Sequence, residues 1–218
     1  MNTLNSYIEH TLLKPSATAK EIENLIDEAV KYDFLGICIS PNYVKFAKKL
    51  LNGQKTKLIT VVNFPLANNK IETVLFQTDC ALADGADEID TVLNISEIKN
   101  KNYKKAADDI KKTKEITKNH NLKVILETDL LTKEEIVIAC NCAVEGGADF
   151  VKTSTGFVKS GIGATKENVE LMYKTVHPWG LKVKASGGIK TSLKAMELIN
   201  AGAIRLGTSS GVDIMLNS

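Results

Sequence analysis

Residues 132–156 read TKEEIVIACNCAVEGGADFVKTSTG, and that stretch spells out one complete structural unit. Thr132 followed by Glu135 is a capping box, in which each side chain takes up a backbone N–H left free at a helix start. Ile136–Val144 then continues as a helix. Gly146-Gly147-Ala148-Asp149 ends it, because a glycine just past a helix takes the left-handed conformation cheaply. Asp149–Thr153 is a short apolar run suited to a strand buried on both faces. Thr153-Ser154-Thr155-Gly156 closes the unit as a small, polar loop.

The same unit recurs on either side. Short runs rich in Val, Ile or Leu lie at Ile8–Leu13, Leu35–Ile39, Leu58–Val62, Glu88–Leu93, Leu122–Glu127, Leu181–Ala185 and Ala203–Gly207. Amphipathic stretches separate them. Ala19–Tyr32 carries Ile22, Leu25, Ile26 and Ala29 at helical spacing behind a second capping box, Thr18 with Glu21. Further helices are expected at Pro41–Leu51, Lys70–Ala83, Tyr103–Asn119, Lys166–His177 and Ser192–Asn200, with Thr165 and Thr191 as caps. The joint at Gly146 is echoed by Asp84-Gly85-Ala86-Asp87 and Ala201-Gly202-Ala203-Ile204. Alternating strands and helices imply parallel strands with right-handed crossovers. Eight strands in 218 residues predict an α/β fold, a single (β/α)8 TIM barrel, as one domain over residues 1–218. A doubly wound open sheet is the competing architecture.

Composition narrows the function classes. A net charge of +2 is too small for bulk attraction to nucleic acid or membrane. No apolar run approaches the roughly 20 residues of a membrane helix. The start, Met1-Asn2-Thr3-Leu4-Asn5, has neither the cationic nor the apolar part of a signal peptide. Cys38, Cys80, Cys140 and Cys142 form no CxxC pair, which fits a reducing, cytoplasmic setting. His10, His120 and His177 make no ligand motif, and no GxGxxG or Walker loop is present, so neither metal nor nucleotide cofactor is expected.

Reactive groups of such a barrel lie at the C-terminal ends of its strands. There the sixth run ends in Lys152 and the seventh in Lys184, each beside a glycine-containing loop, and the fourth holds Asp90. Lys182 shares the parity of Lys184 but lies nearer the strand's start, and is read as solvated. Lys123 opens the fifth run, either as a surface charge or as a helper in the site. Burying these charges is costly unless they pair. Two lysines against one acid leave a spare positive charge that an ion bridge does not explain. An amine attacks a carbonyl only when unprotonated, and free lysine, with a pKa of about 10.4, is almost fully protonated at neutral pH. A second ammonium about 5 Å away at an effective dielectric of about 20 opposes that protonation by roughly 3 kcal/mol. This is the arrangement of an activated lysine nucleophile. Gly187-Gly188 after the seventh strand and Gly207-Thr208-Ser209-Ser210-Gly211 after the eighth occupy the usual phosphate position of these barrels.

Several segments together resemble the deoxyribose-phosphate aldolase family: residues 8–14 (IEHTLLK), 62–66 (VNFPL), 85–90 (GADEID), 126–128 (LET), 149–157 (DFVKTSTGF), 184–189 (KASGGI) and 207–211 (GTSSG). The resemblance implies an aldolase that cleaves 2-deoxy-D-ribose 5-phosphate to glyceraldehyde 3-phosphate and acetaldehyde, without external cofactor. It implies a Schiff base on Lys152, tuning by Lys184, and proton transfer by Asp90. It places phosphate at Gly156, Gly187, Gly188, Gly207, Ser209 and Ser210, with Thr11 and Lys123 in support, and suggests a homodimer. The sequence departs from the family pattern in three places. Glu9 stands where aspartate is usual, altering a hydrogen bond near Lys184. Phe157 stands where some relatives carry a phosphate-binding lysine. The last tyrosine is Tyr173, whereas many members end in a tyrosine that assists proton exchange. The competing readings are another Schiff-base phosphosugar aldolase, an isomerase using Glu88 or Asp90 as base, and a sugar-phosphate binding protein.

Overall fold

A computed structural model of the protein describes residues 3–217. Eight parallel strands close on themselves in sequence order. They are β1 (Ile8–Leu12), β2 (Gly36–Ile39), β3 (Lys57–Val62), β4 (Glu88–Val92), β5 (Asn121–Ile125), β6 (Phe150–Lys152), β7 (Lys182–Ser186) and β8 (Ala203–Thr208). Around them lie α1 (Ala19–Lys31), α2 (Val44–Leu50), α3 (Ile71–Ala83), α4 (Ile95–Lys99), α5 (Tyr103–Thr117), α6 (Lys133–Glu145), α7 (Lys166–Val176), α8 (Ser192–Asn200) and α9 (Gly211–Leu216). The (β/α)8 barrel predicted from the apolar runs is therefore present, and the open sheet is excluded by the β1–β8 pairing.

The local signals act as read. Thr18 and Thr132 both form complete capping boxes, and Thr165 and Thr191 accept from the N–H groups of Asn168 and Lys194. Gly85, Gly147 and Gly202 at the three helix-to-strand joints all have positive φ. The stretch at Pro41 divides into a 3-10 turn, Pro41–Tyr43, and α2. Two short helices, α4 and α9, had not been expected.

Strand parity sorts the side chains into two environments. Ile8, Ile37, Leu58, Ile89, Leu122, Val151 and Val183 point outward and join Ile22, Leu25, Ile136, Ala139, Val169 and Met172 of the helices in one continuous core. The alternate positions point into the barrel. At Glu9, Glu88, Asp90, Lys123, Lys152 and Lys184 those positions carry charge, and all six are buried. An ionic cluster thus interrupts the branched apolar filling of the interior, which persists at Ile59, Val61, Val92 and Ile125.

Candidate active site

Asp90, on β4, is the hub of that ionic cluster. Its Oδ2 accepts from Lys152 Nζ at 2.8 Å and from Lys184 Nζ at 2.7 Å, while its Oδ1 accepts from Lys123 Nζ at 3.0 Å. Lys152 and Lys184 are direct register partners on β6 and β7. Because both ammoniums reach one oxygen, their nitrogens are at most two hydrogen-bond lengths apart. Lys184 also donates to Glu9 on β1. Lys123 lies 2.6 Å from Glu88 and 3.7 Å from Glu9.

The charge balance inferred from two lysines and one acid is thus corrected. Glu9 enters from β1, far away in sequence, Glu88 joins from the start of β4 two residues before Asp90, and Lys123 is fully buried rather than a surface charge. Three buried carboxylates meet three buried lysines. Arg205 Nε adds a charge 3.7 Å from Glu9, and half-exposed Lys57 adds another 3.0 Å from Glu88. The three lysines differ in their hold. Lys123 faces three carboxylates and Lys184 two, whereas Lys152 faces Asp90 alone.

The electrostatics follow from these partners. Burial disfavours the charged form of Lys184, yet Asp90 and Glu9 outweigh it and hold the ammonium well above its ordinary pKa. Burial pushes Asp90 up, but the three lysines pull it well below the usual carboxylate range. Burial likewise raises Glu88, and Lys123, Lys57 and Asn121 bring it down to about 2. A carboxylate so pinned, and absent from the cavity wall, is poorly placed as an isomerase base. Lys182 is exposed, as read from the sequence, with its ammonium 5.6 Å from the Phe150 ring.

A cavity of about 430 Å³ opens over the C-terminal ends of β1, β6, β7 and β8. Thr11, Lys152, Gly156, Gly187, Gly188, Gly207 and Ser209 line it; Lys123, Lys184, Asp90 and Ser210 do not. Lys152 is therefore the one lysine of the cluster that reaches the cavity. A smaller cavity of about 240 Å³ between α3 and α5 holds none of the three lysines.

The loops around the cavity are tied to one another. Thr153 Oγ1 donates to Ser186 O and accepts from Ser186 N, pinning the ends of β6 and β7 together. Thr208 Oγ1 donates to Ile189 O and accepts from Ser210 N, which joins the two phosphate-type loops. Gly188 has φ +73°, and a Cβ there would lie 2.7 Å from the Ile162 carbonyl. Gly207 serves a different need: a Cβ would lie 3.1 Å from Lys184 Cε, so this glycine makes room for the lysine. Thr11 donates to the Glu9 carbonyl at the rim.

Three contributors escaped sequence reading. Lys14 and Lys190 line the same cavity as Phe157; Lys14 is ion-paired with Glu21, and Lys190 adds a second positive charge to the wall. Glu127, expected as the end of β5, instead follows that strand in the left-handed conformation, φ 57°. Its carboxylate accepts from Thr155 N and from the Thr155 hydroxyl. Burial raises the Glu127 pKa, against the pull of those hydrogen bonds. The positive φ of a non-glycine residue is the kind of local strain found at functional sites, but no sequence motif announces it.

A (β/α)8 barrel with lysines gathered on one carboxylate, one of them facing a cavity, defines the class of lysine-centred barrel aldolases. Residues 6–217 match the model of the DeoC/LacD family aldolases, and the chain belongs to that family. It is 48% identical to the deoxyribose-phosphate aldolase of Mycoplasma capricolum subsp. capricolum, across 98% of this chain and 95% of that one. It is 50% identical to the deoxyribose-phosphate aldolase of Macrococcus caseolyticus, across 97% and 95%. The solved structure of QR15, an aldolase, superposes with a TM-score of 0.92 at 38% identity, covering 98% of this chain and 95% of that one.

Proposed function

We propose that the barrel acts as one catalytic domain, a deoxyribose-phosphate aldolase using Lys152 as nucleophile. The observation that carries this reading is that Lys152 alone among the three buried lysines lines the cavity, and has the fewest carboxylates holding its proton. Lys184, kept as an ammonium by Glu9 and Asp90, repels a second positive charge beside it. Asp90 attracts that charge and opposes the repulsion, so the repulsion between the two lysines is only part of the field at Lys152. The same carboxylate touches both nitrogens and offers a direct route for moving the Lys152 proton.

The neutral amine attacks the aldehyde carbon of the open-chain sugar. Asp90 and Lys184, through water, return protons as the carbinolamine loses water to give a protonated imine. Loss of the proton from the hydroxyl on carbon three sends its electron pair into a new carbonyl. The bond between carbons two and three breaks, and its electrons are taken up by the imine as an enamine. Glyceraldehyde 3-phosphate leaves. The enamine is protonated on carbon two, and water releases acetaldehyde and the free amine.

Phosphate is held at the far end of the cavity. The N–H groups of Gly156, Gly188 and Ser209 have no acceptor among the described residues, and Lys14 and Lys190 stand beside them. Such a cradle suits an anion. Gly187, Gly207 and Ser210 shape it, and Thr11 and Lys123 support the catalytic end. Among the described residues no helix is long and apolar enough to cross a membrane. Phosphosugar and aldehyde are the partners in this reading, and the four free cysteines fit a reducing, cytoplasmic setting. A coupled assay for glyceraldehyde 3-phosphate tests the function: release from 2-deoxyribose 5-phosphate is expected. Ligand binding without release would make the protein a sugar-phosphate binder instead.

A further inference from the structure

The loop after β6 is built from outside itself. Thr155, Gly156 and Phe157 turn across the cavity wall immediately after the Lys152–Ser154 segment. Each has one backbone N–H to place. The Thr155 N–H goes to Glu127 at 3.1 Å. The Thr155 hydroxyl donates to the same carboxylate, which frees its oxygen to accept the Phe157 N–H at 3.1 Å. Gly156 is left over. Its N–H has no acceptor among the described residues, and its φ of +82° with nothing within 4 Å of a Cβ leaves the turn open there.

Glu127 itself does not line the cavity and is 3% exposed. It cannot meet substrate without rearrangement, so its influence passes through Thr155. Asp129, two residues on, holds the other end of the same loop by accepting from the N–H groups of Ile162 and Gly163.

We propose that Glu127 is a positioning residue for substrate phosphate: by taking up both Thr155 donors it fixes the turn so that the Gly156 N–H is the one offered to the cavity. This rests on the aldolase reading above. An amide in place of the carboxylate has one oxygen for the two Thr155 donors; the hydroxyl must turn to accept from the amide N–H, and the turn loses a donation to a charged group. The consequence falls on the phosphate end rather than on Lys152, whose strand is pinned separately through Thr153 and Ser186.

The test compares wild type and Glu127→Gln on 2-deoxyribose 5-phosphate and on unphosphorylated 2-deoxyribose. The expected result is a KM for the phosphorylated sugar raised about tenfold, the effect of losing one hydrogen bond to a charged group. kcat/KM for 2-deoxyribose stays within about twofold of wild type on the same reasoning. An equal fall on both sugars, or an unchanged KM, overturns the proposal. Thr155→Val breaks the relay from the other side and is expected to match Glu127→Gln, whereas Thr155→Ser keeps the hydroxyl and is expected to behave as wild type. Should Glu127→Gln not fold, that pair decides by the same criterion. A wild type that releases no glyceraldehyde 3-phosphate overturns the aldolase reading and this role with it. Normal wild-type turnover with unaltered KM in the variants overturns only the role of Glu127.

Discussion

Replacing Lys184 with methionine keeps the unbranched stem as far as Cε and removes the ammonium that bridges Glu9 and Asp90. The two carboxylates then fare differently. Asp90 keeps Lys123 and Lys152 as hydrogen-bonded partners. Glu9 keeps only Lys123 and Arg205, each 3.7 Å away and beyond hydrogen-bonding reach. Glu9 and Lys184 are both 0% exposed, so water cannot take over the lost contact. Breaking a buried pair on one side costs about 3–5 kcal/mol. At roughly 2–4 °C per kcal/mol for a chain of this size, Tm is expected to fall by roughly 6–20 °C. Removing both partners takes out one charge of each sign and leaves only the partly exposed Arg205 without its distant carboxylate, so Glu9→Leu/Lys184→Met is expected to recover at least about 2 kcal/mol of the loss. Urea unfolding followed by circular dichroism measures the cycle; the one tryptophan, Trp179, is 69% exposed and a poor reporter of the core. A loss below about 1 kcal/mol in Lys184→Met, or strict additivity in the double variant, would refute the buried-pair reasoning. Independently of stability, kcat in Lys184→Met is expected to fall by at least about a hundredfold, the usual scale for a group moving protons.

Glu88 makes a prediction in pH. Its folded value lies near 2 against an ordinary 4.5, so its contribution is present above pH 4.5 and is lost as pH falls from 4.5 towards 2. That contribution is about 3 kcal/mol, and Glu88→Gln is expected to flatten the acid limb of a stability–pH curve over that window. An unchanged acid limb would contradict the pairing with Lys123. Gly188→Ala forces a side chain into positive φ and against the Ile162 carbonyl, and is expected to lose about 1–3 kcal/mol by thermal melting. The same variant should raise KM for the phosphorylated sugar more than for 2-deoxyribose; equal effects would move Gly188 out of the phosphate site.

The barrel was legible because each strand is a short apolar run and several helix-to-strand joints carry a glycine, as at Gly85, Gly147 and Gly202. Strand ends moved by one or two residues, since the hydrogen-bond ladder rather than apolarity ends a strand. The helices at Ile95–Lys99 and Gly211–Leu216 were missed because each is too short to show a helical period. Lys152, Lys184 and Asp90 stood out as charges inside apolar runs. Lys123 and Glu88 were visible too, but not how these groups pair, because pairing is decided by which strands close the barrel. Glu9 and Lys184 meet across 175 positions of sequence, and Glu9 had been visible only as a departure from a family pattern. Glu127 stood only inside a segment of family resemblance, and its role was not legible, since that role depends on a turn lying where the apolar run predicts the end of a strand.

The proposed catalytic cycle turns on one covalent bond, between Lys152 Nζ and the aldehyde carbon of the substrate. Reduction with borohydride in the presence of acetaldehyde, followed by peptide mass mapping, reads which nitrogen reacts with the two-carbon product. A single ethyl group on Lys152, absent from Lys152→Ala, is the predicted result. Label on Lys184 or Lys123 instead, or none on any lysine, would contradict it.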